Sequence, residues 1–259
     1  MLFFKNVFEW LMNHIVVINP NIGISNTDAY YSEESLDTIS NLIKTFDTGV
    51  SEIKTKQITV EEMSQMLPKE VLSEIFSTLK KQMQMTNLPE LKMTWRIADG
   101  FFNIRITGVG EPEITTLVLK HGKSVFDFSF DEESDGTKRL FDLIDMLMSK
   151  REDVAFVVDE LERSLHPKLT EHFLKLFMEA HEADRVQLVF TTHEDTIMDQ
   201  ELFRRDEIWF VECEETNASK IYSLDRFKER YDKKLSKAYL EGRYGAIPVF
   251  KQFTFRRHT

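Results

Sequence analysis

The sequence predicts an α/β fold in which a mostly parallel sheet is flanked by helices and preceded by a helical and antiparallel-strand region. Three observations carry this. After residue 130, short apolar runs alternate with amphipathic stretches of helical length, the pattern of parallel strands joined by helices and covered on both faces. Between Leu91 and Leu119 the apolar period falls to two, in Met93, Trp95, Ile97 and then Phe102, Ile104, Ile106, around a turn signal at Asp99-Gly100. Earlier still, apolar residues recur at three and four, in Leu36, Ile39, Leu42, Ile43 and again in Leu72, Ile75, Phe76, Leu79.

In chain order, Phe4, Val7, Phe8, Leu11 and Met12 predict an opening helix that runs into Ile15-Val16-Val17-Ile18 and stops at Asn19-Pro20. Ser32-Glu33-Glu34-Ser35 caps the next helix. Gly49–Thr59 is a short strand, and Val60–Lys81 is helical with an interruption near Pro68. Thr115–Leu119 adds a strand, and Gly122-Lys123-Ser124 is a turn. The alternation then reads as helix Thr137–Met148, buried strand Val154–Val158, helix Lys168–Ala180, buried strand Val186–Thr191, short helix Thr196–Leu202 and a third strand Glu207–Glu212. The expected division is a helical and antiparallel region at 1–124 and a C-terminal lobe at 125–259.

Composition narrows the function classes. With 42% hydrophobic residues among 259, the chain can fill a substantial core. No apolar run approaches the roughly 18 residues of a membrane span, and Lys5 and Glu9 interrupt any secretory signal, so no membrane association is expected. The single cysteine, Cys213, excludes an internal disulfide and fits the reducing cytoplasm. A net charge of −11 argues against a surface coated for nucleic acid. A small basic end at Lys251, Arg256 and Arg257 keeps DNA open as a local contact. The histidines form no HxxxH or HxH array, which disfavours zinc, and no GxSxG elbow is present.

Ligands of parallel sheets sit beyond the C-terminal strand ends, and the polar motifs fall there. The run Ala155-Phe156-Val157-Val158 ends in Asp159-Glu160. At such an edge one carboxylate, Asp159, can hold Mg2+ directly or through water, while Glu160 can orient a water for attack on a phosphoryl group. A pair of solvated acids ending a strand is the competing reading. Upstream, Ser134, Gly136, Thr137 and Lys138 stand at the start of a helix, where backbone N–H groups and the helix dipole attract an anion. Ordinary helix capping explains the same pattern. His193 follows the next buried strand, at the same sheet edge as the acidic pair, where a neutral imidazole can hydrogen-bond a phosphate.

The segment Asp159-Glu160-Leu161-Glu162-Arg163-Ser164-Leu165-His166-Pro167 resembles the ATP-binding-cassette superfamily. More closely it looks like the AAA15-type ATPases, relatives of the overcoming-lysogenization-defect and structural-maintenance-of-chromosomes ATPases. The later Tyr239-Leu240-Glu241-Gly242-Arg243-Tyr244-Gly245-Ala246-Ile247-Pro248 also looks like that family's closing segment. The resemblance implies a P-loop NTPase of ATP-binding-cassette type whose cassettes dimerise around ATP and Mg2+. Glu160 and His193 would be catalytic and Asp159 the metal residue. Ser134, Gly136, Thr137 and Lys138 would form the signature that binds the γ-phosphate held by the other subunit, and Ser164 and His166 would reach across the dimer.

No GxxxxGK[ST] phosphate loop occurs in these residues, and Gly108-Val109-Gly110 lacks the lysine. The chain therefore reads as a partial P-loop NTPase, and three origins stay open: a truncated product, a fragment, or half of a split enzyme. A homodimer, or a complex with a full-length or N-terminal-half homologue, would complete the site. The family implies a place in prokaryotic defence against phage or plasmid DNA, with a separate effector protein. The second reading is a non-catalytic interaction module derived from such an ATPase.

Overall fold

In the computed structural model of the chain the described residues are 2–19, 33–86, 88–97, 100–107, 111–214, 216–228, 235–248 and 250. Expectations at Ser32, Asp99, 108–110, Lys251, Arg256 and Arg257 fall outside them. The chain divides into two compact units, Met1–Thr191 and Thr192–Thr259.

The first unit opens on helix α1 (Leu2–His14), which leads straight into strand β1 (Ile15–Ile18). The β-branched run that follows the apolar helical pattern thus changes element, as its stiffness at χ1 favours. β1 pairs in parallel with β7 (Val154–Val158), and β7 pairs in parallel with β8 (Val186–Phe190). Helix α6 (Pro167–Ala180) makes the crossover between β7 and β8 and sets Phe177 edge-on to Phe156. The opposite face differs from expectation. Val17, Val157 and Val189 stand side by side in register there, and Val17 and Val189 remain 69% and 56% exposed. The side chains of Phe3, Phe4, Phe8 and Met12 on α1 are exposed as well.

An antiparallel sheet forms the rest of the strand content in this unit. Strands β2 (Val50–Ile58), β3 (Glu90–Ile97), β4 (Gly100–Thr107) and β5 (Glu113–His121) run in the order β2-β5-β4-β3, and β6 (Asp127–Ser129) also pairs with β5. The expected antiparallel-strand region is thus a sheet of its own beside the parallel one, and the sheet content is mixed. β6 carries the antiparallel sheet past residue 124, and β1, near the start of the chain, belongs to the parallel sheet.

Helices α3 (Val60–Met66) and α4 (Lys69–Thr86) are separated at Pro68, where the missing N–H and fixed φ forbid continuation. Thr59 and Glu62 cap α3 reciprocally. Met63, Leu72 and Leu79 pack against Phe102, Ile104, Ile106 and Ile114 on one face of the antiparallel sheet. Helix α2 (Glu33–Lys44) meets β2 through Ser40, whose Oγ accepts the Ile53 N–H at 3.0 Å. From β4, Phe101 meets Phe130 and, on helix α5 (Asp135–Leu147), Phe141.

Arg96 of β3 lies over the Phe101 and Phe130 rings at 4.7 and 4.4 Å and pairs with Asp142 of α5 at 3.4 Å. Its side chain is 4% exposed. Burial pushes the Asp142 carboxyl up, against the pull of the Arg96 and Arg139 charges. The guanidinium thereby pins α5 to the antiparallel sheet by a charge pair and two aromatic faces at once.

In the second unit, β9 (Trp209–Cys213) pairs antiparallel with β10 (Ser219–Ser223) in a separate sheet. The third strand therefore does not extend the parallel sheet. A short connection with Asn217 in the left-handed region closes a hairpin, which only antiparallel neighbours allow. The expected helix at 196–202 shortens to a single 3-10 turn, Asp195–Ile197. Phe210, Tyr222, Leu224, Tyr244 and residues of helix α7 (Leu235–Leu240) form the core. Gly245 has a φ of 73°, and a Cβ there would stand 2.6 Å from the Tyr222 hydroxyl, which donates to the Tyr244 carbonyl at 2.7 Å.

Phe141 is fully buried between Phe101 and Phe130. Phe141→Ala is expected to destabilise the chain by about 3–5 kcal/mol, since partial collapse leaves a cavity. Chemical denaturation measures this. A loss below about 1 kcal/mol would mean that α5 is not held by this aromatic contact.

Candidate functional site

The acidic pair sits at the C-terminal end of β7, as its sequence position predicts. The Asp159 N–H continues the parallel pairing by donating to the Ile18 carbonyl at 3.1 Å. On the other side, the Thr191 N–H donates to the Val158 carbonyl at 3.0 Å and the Leu161 N–H donates to the Thr191 carbonyl at 3.0 Å. Leu161 is fully buried and anchors the turn.

Between these ties the backbone does something an L-residue avoids. Glu160 adopts a φ of 48°, a left-handed conformation that is uncommon outside glycine and tends to persist where the surroundings enforce it. Three groups do so here. The Thr191 hydroxyl accepts the Glu160 N–H at 2.9 Å and donates to Asp159 Oδ1 at 2.6 Å, so one side chain fixes both members of the pair. The Arg163 N–H donates to the Glu160 carbonyl at 3.1 Å. Arg139 Nη2 donates to the Asp159 and Glu160 carbonyls at 3.3 and 3.1 Å. The Glu160 carboxylate is itself half exposed, with Arg163 Nη1 at 3.8 Å, a contact that solvent screens.

The start of α5 meets this turn directly. Ser134 caps the helix: its Oγ accepts the Thr137 N–H at 3.1 Å and lies 2.9 Å from the Thr137 hydroxyl. Gly136 is next to the loop that follows the acidic pair. A Cβ on it would fall 2.8 Å from the Ser164 carbonyl oxygen, so only glycine lets helix and loop approach this closely. Ser164 is also left-handed, with φ 61°. Lys138 Nζ donates to the Asp131 carbonyl at 3.0 Å, back toward the turn before the helix. His166 caps α6, its Nδ1 accepting the Lys168 N–H at 3.2 Å, with Pro167 as the first helical residue.

The structure thus brings Ser134, Gly136, Thr137, Asp159, Glu160 and Ser164 into one neighbourhood, at the expected sheet edge. His166 lies just beyond, at the start of α6. His193 is exposed and belongs to the second unit, in the segment after β8. Two residues that sequence reasoning passed over, Thr191 and Arg139, hold the turn. Thr191 precedes Thr192-His193 and looks like the end of a strand. Arg139 is a charged residue inside an amphipathic pattern, although it stands among residues that the helical period places in the core.

Among the described residues no three His, Cys, Asp or Glu side chains converge. A caged structural metal needs such a set, whereas Mg2+ keeps most of its water and takes one or two carboxylates together with substrate phosphates. The exposed Asp159 at a strand end fits that second mode.

Strand, acidic turn, crossover helix and strand at the edge of a parallel sheet define an α/β protein with mixed sheets and flanking helices, consistent with a P-loop NTPase-like domain. The chain matches the family described as "AAA domain, putative AbiEii toxin, Type IV TA system" over residues 27–199, and it belongs to that family. The matched span contains the start of α5, the acidic turn and His193. No curated protein matches the chain. Among the described residues no helix is long and apolar enough to cross a membrane.

Gly136→Ala is expected to destabilise the chain by about 1–3 kcal/mol, because the new methyl must displace the Ser164 backbone. Thermal unfolding of the variant measures it. An unchanged midpoint would show that α5 and the loop are not in contact.

Proposed function

We propose that this chain is the signature and acidic-pair part of a Mg2+-dependent ATPase of AAA15 type, whose cassettes associate around ATP. Support comes from one observation above the others: a left-handed Glu160 clamped by Thr191 and Arg139, with the N-terminus of α5 packed against the same loop. A conformation of this kind costs of order 1–3 kcal/mol, and retaining it at an exposed acidic pair favours a chemical use.

In this reading Asp159 holds Mg2+, and Thr191 fixes the orientation of its carboxylate. Glu160 accepts a proton from the attacking water. His193 keeps the role that the resemblance implies for it, a hydrogen bond to the γ-phosphate. When bound, ATP with Mg2+ supplies an electrophilic phosphoryl group whose developing charge the site has to offset.

The signature role shifts in emphasis. The Ser134 and Thr137 hydroxyls are engaged in capping and Lys138 in a backbone contact, so the groups best placed for a phosphate are the first backbone N–H donors of α5. Ser164 and His166 stand in the loop that would face a second subunit. A GxxxxGK[ST] loop would come from another segment or a partner, which makes the site composite. The family's description adds a toxin–antitoxin setting, and the sequence resemblance adds prokaryotic defence.

The second reading, an interaction module without catalysis, draws on the exposed apolar side chains of α1 and on Val17 and Val189.

Calorimetric titration with a non-hydrolysable ATP analogue and Mg2+ separates the two. The chain alone is expected not to bind, and the chain mixed with a segment bearing strand and phosphate loop is expected to bind stoichiometrically. Failure to bind in the mixed sample favours the interaction module.

A further inference from the structure

Arg139 stands out because its placement is costly and its bonding incomplete. The residue is 5% exposed, and burial pushes its guanidinium down from the usual arginine range, partly countered by the nearby Asp142 charge. Among the described residues its Nε and Nη1 atoms have no hydrogen-bond partner. Leaving buried charged donors unmet is unfavourable, and an apolar residue on this face of α5 would avoid it. The one group that is engaged, Nη2, reaches across to the two carbonyls of the acidic pair.

Those two carbonyls define the turn. Rotation of the peptide between Asp159 and Glu160, or of the next one, is what would relax Glu160 from its left-handed φ of 48°. Thr191 holds the same stretch through the Glu160 N–H and the Asp159 carboxylate. Donors on one side and a hydroxyl on the other thus fix the backbone from which the Glu160 side chain projects.

We infer that Arg139 is a positioning residue for the proposed ATPase site: by holding the Asp159 and Glu160 carbonyls it keeps the Glu160 carboxylate aimed for its work on water. The inference rests on the ATPase reading for its functional consequence, while its structural half stands on the chain alone. Arg139 touches neither nucleotide nor metal in this scheme, and acts through the backbone of the turn.

Two variants test it. Arg139→Met keeps length and removes every donor; Arg139→Lys keeps the charge but lacks the planar fork of donors. Amide hydrogen exchange on the chain without nucleotide is the first readout. In Arg139→Met, exchange at Glu160 and Arg163 is expected to rise at least ~10-fold while β7 and α6 are unchanged, with a smaller rise in Arg139→Lys. Equal acceleration throughout the first unit would reduce Arg139 to a general packing role, and unchanged exchange at the turn would overturn the inference.

The second readout is phosphate release from Mg2+-ATP in the sample supplemented with the phosphate-loop segment. A fall in kcat of ~100-fold for Arg139→Met with little change in KM is expected, since a misaimed catalytic group affects the transition state more than binding. An unchanged kcat would overturn the positioning role. If the wild-type sample releases no phosphate, the ATPase reading fails, and the exchange experiment still decides whether Arg139 holds the turn.

Discussion

The Thr191 hydroxyl is the smallest part of this structure on which the most depends. It accepts from the Glu160 amide and donates to the Asp159 carboxylate, and it can do both only because β8 runs parallel to β7 and ends beside it. The register of the parallel sheet, the buried Leu161 and the crossover through α6 all converge on that placement. Arg139, approaching from α5, closes the turn from the other side. Since Arg96 and Phe141 hold α5 to the antiparallel sheet, both sheets contribute to the geometry of one dipeptide. A strained conformation survives where its neighbours over-determine it, and here they come from α5, from the residue after β8 and from the loop before α6.

The start of α5 shows how one group of residues serves folding and ligand binding. Ser134 satisfies a helix N–H, and Gly136 allows the Ser164 carbonyl to come close. Both facts have complete structural explanations. Yet capping consumes only part of the donor capacity at a helix N-terminus, and the remaining N–H groups with the helix dipole still attract an anion. The capping and phosphate-binding readings of this segment are therefore compatible, with backbone donors in place of side chains.

Much of this was legible in the sequence. The strands Val154–Val158 and Val186–Phe190 and the helices on either side of β7 follow from apolar period alone, and the acidic pair stands out at a strand end. The antiparallel strands were equally readable from alternation around a turn. What escaped is non-local. Ile15–Ile18 is too short to declare its partner, and periodicity cannot say that it pairs with a strand more than half the chain away. The strand at Trp209 has the composition of a parallel-sheet strand, but the turn at Asn217 decides its pairing. Arg139 and Thr191 carry no pattern that separates them from a helix-face charge and a strand-end hydroxyl. Their meaning comes from which carbonyls and amides the fold sets opposite them.

Thr191 holds the acidic turn through both of its members. Phosphate release from Mg2+-ATP by the chain together with a phosphate-loop segment, compared for the wild type, Thr191→Ser and Thr191→Val, tests this most directly. The account predicts a Thr191→Ser rate close to wild type, because the hydroxyl is kept, and a Thr191→Val rate ~100-fold lower, because a small misplacement of the reacting groups is that costly. Equal rates for all three would contradict it.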